Sequence, residues 1–510
     1  MDILGILSYV LGVRELILIF LGTLGGVFIG ILPGLSGPTG VALLLPFTFN
    51  LDPAGGLLML GGIYMGSSFG GSVSAILLNA PGTSYAAATA LDGFPLAQQG
   101  RSKEALYVSL VSSVFGGVIG VVTLILFAPM LARFALKFGP PEMFLLAAAG
   151  LAIIGVLAGE NMFKGIAAGA LGVLISMVGP DIMTGDVRLT FGIENLESGI
   201  PLIPALVGLF AISEMISQSM RTHGMSLVEV PMKRTSLARV IRDIFRKGAV
   251  LLAKTSALGT IIGIMPGAGA AVASFIAYGE AKRSSSHPEL FGKGNPEGII
   301  AAESANNASV GGALVPLLAL GIPGSCTTAI LYGALTIHGL IPGPRLFMSN
   351  PDVVYNFMFG MLLTVIFMGI IGALGAEYFS KVMKLNFKYL VPIVLLLCFM
   401  GAYSIRNSSF DILLAVCFGI LGVALKWLNM PVAPIVLGII LGPIGEEGLR
   451  QTLVITHARE ISLLTYVIAR PISVVLFFLL AAVIFTSIRS FQKLKSPQEC
   501  DVDVTTSDKN

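Results

Sequence analysis

The sequence predicts an all-α integral membrane protein with about 10–14 hydrophobic segments, set in two repeats that run inverted to one another and contain Pro-Gly-broken re-entrant hairpins. Three observations predict it. The 510 residues are 55% hydrophobic and only 12% charged, whereas a soluble domain carries about 25% charge. Apolar stretches long enough to cross a bilayer follow one another along the chain. One Gly/Pro-broken stretch occurs twice.

In chain order, the first stretch, 14–50, is cut at Pro33-Gly34, and the second, 53–83, at Pro81-Gly82. Clear spans are predicted at 104–135, 141–160, 163–180 and 199–219. The N-terminus, Met1-Asp2-Ile3-Leu4, has no basic leader and no small-residue cleavage site, so the first segment is expected to be retained. Residues 1–219 read as a first membrane repeat with its following helices.

The segment 220–248 carries Arg221, Lys233, Arg234, Arg239, Arg242, Arg246 and Lys247 against Glu229 and Asp243, and is expected to be a cytoplasmic loop. The loop 181–198, with Asp181, Asp186, Glu194 and Glu197 against Arg188, suits the outside. Counting back, Arg101 and Lys103 fall inside, while Arg133 and Lys137 fall outside against the rule. The stretch 249–281 is flanked at its far end by Lys282, Arg283 and Lys293, so both ends belong in the cytoplasm. A straight helix cannot do this. Two half-helices meeting at Met265-Pro266-Gly267-Ala268-Gly269 can, because Pro removes a backbone donor and Gly admits left-handed dihedrals. Such backbone survives at membrane depth only under protein or beside water.

The stretch 300–341 is cut at Pro323-Gly324, and spans are then predicted at 353–380, 388–405, 409–428 and 461–488. Residues 249–490 read as the second repeat with its following helices, and 491–510 as a polar tail. The repeat is explicit. Gly26 to Gly34 matches Gly259 to Gly267 at a fixed offset, and Leu78-Asn79-Ala80-Pro81-Gly82-Thr83-Ser84 stands opposite Leu320-Gly321-Ile322-Pro323-Gly324-Ser325-Cys326. Paired interruptions of this kind point to the binding site of a secondary transporter. A single kink would favour a merely structural bend; four in two matched pairs reverse that. The lack of Lys or Arg near Asn50 and Asp52 favours inverted over parallel repeats.

A carboxylate in a membrane can be held by free N–H groups where a half-helix starts. The starts predicted here are Gly34, Ser36 and Gly37; Pro81, Gly82, Thr83 and Ser84; Gly267; and Gly324, Ser325, Thr327 and Thr328. Helix capping is the plain alternative for such Ser and Thr residues. Asn79, Asn306 and Asn307 are amides in apolar stretches, able to donate to a carboxylate and to lend an oxygen to Na⁺. Glu303 is a candidate proton-coupling group, with capping of the helix that follows Gly298 as the stronger alternative. Asp92 precedes a Gly-Phe-Pro turn and is expected at the surface, and His338 reads as a loop donor.

Other functions find no support. No H-E-x-x-H, G-x-S-x-G or Walker pattern occurs, so no enzyme and no cofactor is expected, only Na⁺ or H⁺ as coupling ion. Cys326, Cys398, Cys417 and Cys500 have neither disulfide nor zinc spacing. Basic residues without interleaved aromatics exclude a nucleic-acid surface.

Several motifs together resemble one family. Gly30-Ile31-Leu32-Pro33-Gly34-Leu35, Ala42 to Phe49, Tyr64-Met65-Gly66-Ser67-Ser68-Phe69-Gly70-Gly71-Ser72, Ile76 to Gly82, Glu303 to Ala308, Leu320 to Ser325 and His338 to Pro344 are similar to the large membrane subunit, TctA, of tripartite tricarboxylate transporters. Ser36 and Ser68 depart from that pattern, where Gly and Tyr are expected. The resemblance runs to about residue 490. It implies a permease of a bacterial inner membrane working with a small four-helix membrane subunit and a periplasmic solute-binding protein. Uptake of di- or tricarboxylates or related organic acids would be driven by Na⁺ or H⁺. A stand-alone carboxylate symporter is the alternative, and a membrane-embedded enzyme a more distant one.

Overall fold

The computed structural model describes residues 3–32, 34–157, 162–220, 235–379 and 387–495. The described residues are almost wholly helical. Six helices are long and apolar enough to cross a membrane, seven if one sharply bent pair counts as a span, and six shorter apolar helices accompany them.

Two long helices form the centre. With α1 at Ile3–Val10, α2 at Val13–Ile31 and α3 at Gly37–Leu44, the first of them is α4, Pro53–Leu78. After α5 (Ala87–Leu96), α6 (Ser102–Ala135), α7 (Pro140–Leu157), α8 (Met162–Ser176), α9 (Leu202–Ser219), α10 (Leu237–Lys247), α11 (Ala249–Ile264) and α12 (Gly269–Ser284), the second is α13, Pro296–Leu320. Both start and stop by the same chemistry. Asp52 and Asn295 cap α4 and α13 by accepting the N–H of Gly55 and Glu297, each cap precedes a Pro in the first turn, and each helix ends on a left-handed residue, Asn79 (φ 53°) or Gly321 (φ 73°). Every residue of α13 from Gly298 to Ala319 is buried. A helix buried on all sides lies in the middle of the bundle.

Partners approach these two helices through glycine. On α2, a Cβ added to Gly26 would lie 2.4 Å from the Ile63 carbonyl oxygen, and one on Gly30 2.5 Å from that of Ser67. On α11, a Cβ on Gly259 would lie 2.3 Å from the Ala305 oxygen, and one on Gly263 2.6 Å from that of Ser309. Backbones this close gain dispersion contacts that larger residues would forbid. The start of α2 and the chain beyond α3 come together at the Arg14–Asp52 ion pair (2.8 Å). In the same way Lys254 of α11 meets Glu280 of α12 at 2.6 Å.

The chain continues as α14 (Cys326–Ile337), α15 (Pro351–Gly375), α16 (Phe387–Arg406), α17 (Ser409–Trp427), α18 (Val432–Ala458) and α19 (Pro471–Lys495). On α15, Phe357, Met361, Val365 and Met368 face the core, whereas Ile366, Ile370 and Leu374 are exposed along one stripe. Apolar stripes open to the outside need lipid rather than water around them. The one two-stranded sheet among the described residues, Gly179–Pro180 with Val187–Arg188, is antiparallel and lies in the loop between α8 and α9.

Three expectations need correction. Residues 432–458, for which no span is predicted, form α18 and pack on α7 and α8. The stretch 461–488 is two helices, Leu463–Ile468 and α19, because Pro471 starts a new one after Ala469-Arg470. The basic segment 220–248 contains α10, while residues 221–234 and most of the 491–510 tail lie outside the described residues.

Candidate functional site

A polar seam runs between α4 and α13 at the heart of the bundle. Glu303 is completely buried. Its Oε1 accepts hydrogen bonds from Ser72 of α4 (2.6 Å) and Thr89 of α5, and its Oε2 from Ser113 of α6 (3.0 Å). Uncharged hydroxyls from three helices therefore surround one carboxyl. This corrects the capping alternative, since Asn295 holds the N-terminus of α13 two turns earlier. One turn on, Asn306 donates through Nδ2 to the Ser68 carbonyl (3.2 Å), and Asn307 donates to the carbonyl of Glu303 (3.1 Å). The Oδ1 atoms of both amides are buried without a protein partner. Buried carbonyl oxygens in that condition are costly unless something fills them.

The interrupted segments close on the same seam. The backbone N–H of Gly82 donates to the Gly71 oxygen (3.3 Å), and a Cβ on Gly82 would lie 1.9 Å from the oxygen of Gly30. In the second half, Gly267 (φ 79°) donates its N–H to the Gly324 oxygen (3.0 Å), and a Cβ on Gly324 would lie 3.0 Å from the Gly263 oxygen. Ser325 is the N-cap of α14 and shares a capping box with Thr328. Its hydroxyl also lies 3.1 Å from Tyr64 Oη of α4. Gly37, buried in the first turn of α3, admits no side chain: a Cβ would stand 2.7 Å from Tyr85 Oη, 2.8 Å from Ser67 Oγ and 3.4 Å from Thr327 Oγ1. Thus the start of α3 and the start of α14 face each other across Ser67.

The remaining predicted residues lie around this centre. Ser36 stands at the N-cap position of α3 with no side-chain bond to a backbone N–H, its hydroxyl 3.1 Å from that of Thr39, and Gly34 (φ 88°) abuts the Gln218 side chain of α9. Thr83 is buried with an unpartnered hydroxyl, Pro81 is half-buried, and Ser84 is exposed. Asn79 is exposed as well, at the left-handed C-terminal end of the apolar α4. Asp92 is the reverse: fully buried, its Oδ1 accepts the N–H groups of Gly292, Gly294 and Asn295, and its Oδ2 accepts Tyr278 Oη. It straps the turn before α13 onto α5. His338 ends α14, and its Nε2 is buried beside Gly56.

Sequence reasoning missed Tyr64, Ser67, Ser72, Tyr85, Thr89 and Ser113 as parts of the site. The readable signal was hydroxyl residues recurring in helices otherwise too apolar to need them. Beside the second interruption a cavity of about 580 Å³ opens, lined among others by Gly321, Tyr332, Arg345, Glu447 and Gln451.

Lipid-facing helices around a sealed polar seam define a multi-pass membrane protein built to handle a polar solute. Similarity to known proteins agrees. The chain belongs to the tripartite tricarboxylate transporter TctA family, which it matches over residues 16–437. It is 36% identical, over 92% of its own length and 93% of the relative's, to an uncharacterised 52.8 kDa protein of the TAR-I ttuC′ 3′ region of Agrobacterium vitis. A second Agrobacterium vitis relative, an uncharacterised protein of the TAR-II ttuC′ 3′ region, is 34% identical over 39% of this chain and 82% of its own. No solved structure matches the chain.

Proposed function

We propose that this chain is the permease subunit through which a di- or tricarboxylate, or a related organic acid, is imported across a bacterial inner membrane. In this reading a periplasmic solute-binding protein delivers the acid, a small four-helix membrane subunit completes the complex, and a Na⁺ or H⁺ gradient drives uptake. The observation that carries the reading is the meeting of the α3 and α14 starts at Gly37, Ser67 and Thr327, on the same helix α4 whose Ser72 binds Glu303. Helix starts present N–H donors and a positive dipole end to a carboxylate without the cost of burying a cation. The cavity beside Gly321, with Arg345 on its wall, supports an approach for an anion from that side.

The matched glycine contacts support residues 1–219 and 249–490 as duplicated units. Gly26 on Ile63 and Gly259 on Ala305 are displaced along the chain by the same offsets as Gly30 on Ser67 and Gly263 on Ser309. The ion pairs Arg14–Asp52 and Lys254–Glu280 support α2–α3 and α11–α12 as hairpins that enter and leave on one side. Lys282 and Arg283 at the end of α12, against the single Arg14 at the start of α2, favour opposite sides, hence inversion. Coupling is assigned to Glu303, Asn307 and Asn79. Hydroxyls can donate to a carboxylate or accept from a carboxylic acid, so the Glu303 cradle tolerates both states, and the free Asn306 and Asn307 oxygens suit Na⁺.

Uptake of a labelled di- and tricarboxylate panel tests this, in cells making the chain with both partner proteins, with Na⁺ and pH gradients imposed separately. Uptake that requires the binding protein and is lost in Asn307→Ala at unchanged membrane insertion is expected. Uptake that survives that substitution removes the site assignment, and no uptake of any acid removes the substrate class.

A further inference from the structure

The basic segment ahead of α11 holds a surface that the transport reading does not use. Along α10, Leu237, Val240, Ile241, Ile244 and Phe245 share one side, and Arg239, Arg242 and Arg246 form a stripe on the other. Val240 and Ile244 are buried against α6, and the Phe245 ring meets that of Phe115 edge-on at 6.0 Å between centroids. The apolar side is only half covered by protein, however. Ile241 and Phe245 remain 39% and 50% exposed, next to Val250 at the start of α11, which is 83% exposed.

The orientation follows from the joint at Gly248. There α10 turns by 84° from the apolar α11, so it lies across the end of that helix rather than continuing it. The Lys254–Glu280 pair brings the basic end of α12 to the same face of the bundle. A short helix with this two-sidedness, laid crosswise at the end of an apolar helix, settles in the plane of the membrane interface with its open apolar residues among acyl chains. The residues on its polar side are Arg239, Arg242, Arg246 and Lys247 against Asp243 alone, and the nearest acid to the stripe, Asp243, is 3.9 Å from Arg242. Three arginines against one acid, beside an apolar edge, complement phosphate headgroups, while Lys247 lies in a pocket with Glu104 and Glu297.

We infer that α10 is an interfacial anchor that binds anionic phospholipid headgroups of the cytoplasmic leaflet through Arg239, Arg242 and Arg246, with Ile241 and Phe245 inserted beneath them. The full chain is purified and titrated with phosphatidylglycerol or phosphatidylcholine, and retained lipid is counted by native mass spectrometry. The triple variant R239Q/R242Q/R246Q is expected to lose phosphatidylglycerol affinity by tenfold or more, and R239K/R242K/R246K to keep most of it, with phosphatidylcholine unaffected in all three. A second measurement does not depend on the triple variant folding. Nitroxide labels on Phe245→Cys and Arg242→Cys, in a background without native cysteines, are compared in phosphatidylglycerol nanodiscs for collision with oxygen and with a water-soluble nickel chelate. Position 245 reading as acyl-chain depth and position 242 as headgroup depth supports the anchor. Equal phosphatidylglycerol retention in wild type and the Gln triple overturns it, as does a water-exposed position 245 or one sealed from both reagents by another protein.

Discussion

Asp92 and Glu303 are both buried carboxyls, yet their surroundings give them opposite work. Asp92 accepts three backbone N–H groups and one phenol, a fixed set of donors. Asp92→Ala strands those donors and is expected to cost about 3 kcal/mol, read as a clear drop in the midpoint of heat-induced aggregation in detergent; an unchanged midpoint refutes the strap. The Glu303 carboxyl takes its hydrogen bonds from three hydroxyls, which rotate to suit either protonation state, with the Asn306 amide as a further neighbour. Glu303→Gln keeps the shape and most of these bonds, so the protein is expected to insert and bind substrate while losing the response of uptake to an imposed pH gradient. A variant that still concentrates substrate on a pH gradient as wild type does would show that this carboxyl carries no proton. Glu303 was legible in the sequence as a charge in an apolar stretch. Its partners were not, because Ser72, Thr89 and Ser113 lie on three other helices and converge only in space.

Helices in this protein are positioned by where they have no side chain. Gly259→Ala would thrust a methyl group to 2.3 Å from the Ala305 oxygen, between backbones that cannot part without moving α11. Gly279, on the exposed side of α12, has nothing within 4 Å of an added Cβ. Gly259→Ala is therefore expected to lower folded yield and thermal stability. Gly279→Ala is expected to be neutral or to stabilise by up to about 1 kcal/mol, the helix preference of Ala over Gly. Size-exclusion profiles of the two variants after heating decide it, and equal behaviour would refute close packing through Gly259. The paired helix interruptions were readable from the Pro-Gly repeats. Helix α18, which carries Glu446 and Arg450, was not. Both are neutralised by Arg188 and Asp181 from a distant loop.

That loop is where the outer layer of the molecule is fastened. Asp181 accepts the N–H groups of Thr184 and Met183, and Arg188 and Arg450 lie beside it at 2.9 and 2.7 Å; together these hold its carboxyl below the usual range. Because the folded value is depressed, the stabilisation is present above the unfolded pKa of about 3.9 and is lost as pH falls through the lower folded value. Protease cleavage within residues 181–198 is thus expected to stay constant from neutral pH down to about pH 5 and to rise only below about pH 4. Asp181→Asn is expected to admit cleavage at neutral pH. Cleavage that already climbs between pH 7 and 5 would assign the fastening to another group.

By itself the sequence determined the class: a membrane protein, helical, interrupted at Pro-Gly pairs, with the residues of a tricarboxylate transporter family. Those properties are local. Bilayer solubility follows from composition, and a helix stops where Pro and Gly stand. Only the tertiary structure decided which polar groups share a space. It buried Asp92, exposed Asn79, and gathered Ser72, Thr89 and Ser113 around Glu303. Burial and partnership depend on which helix faces are turned toward one another, and with the long spanning helices apolar on most sides, hydrophobic periodicity carries little record of that choice.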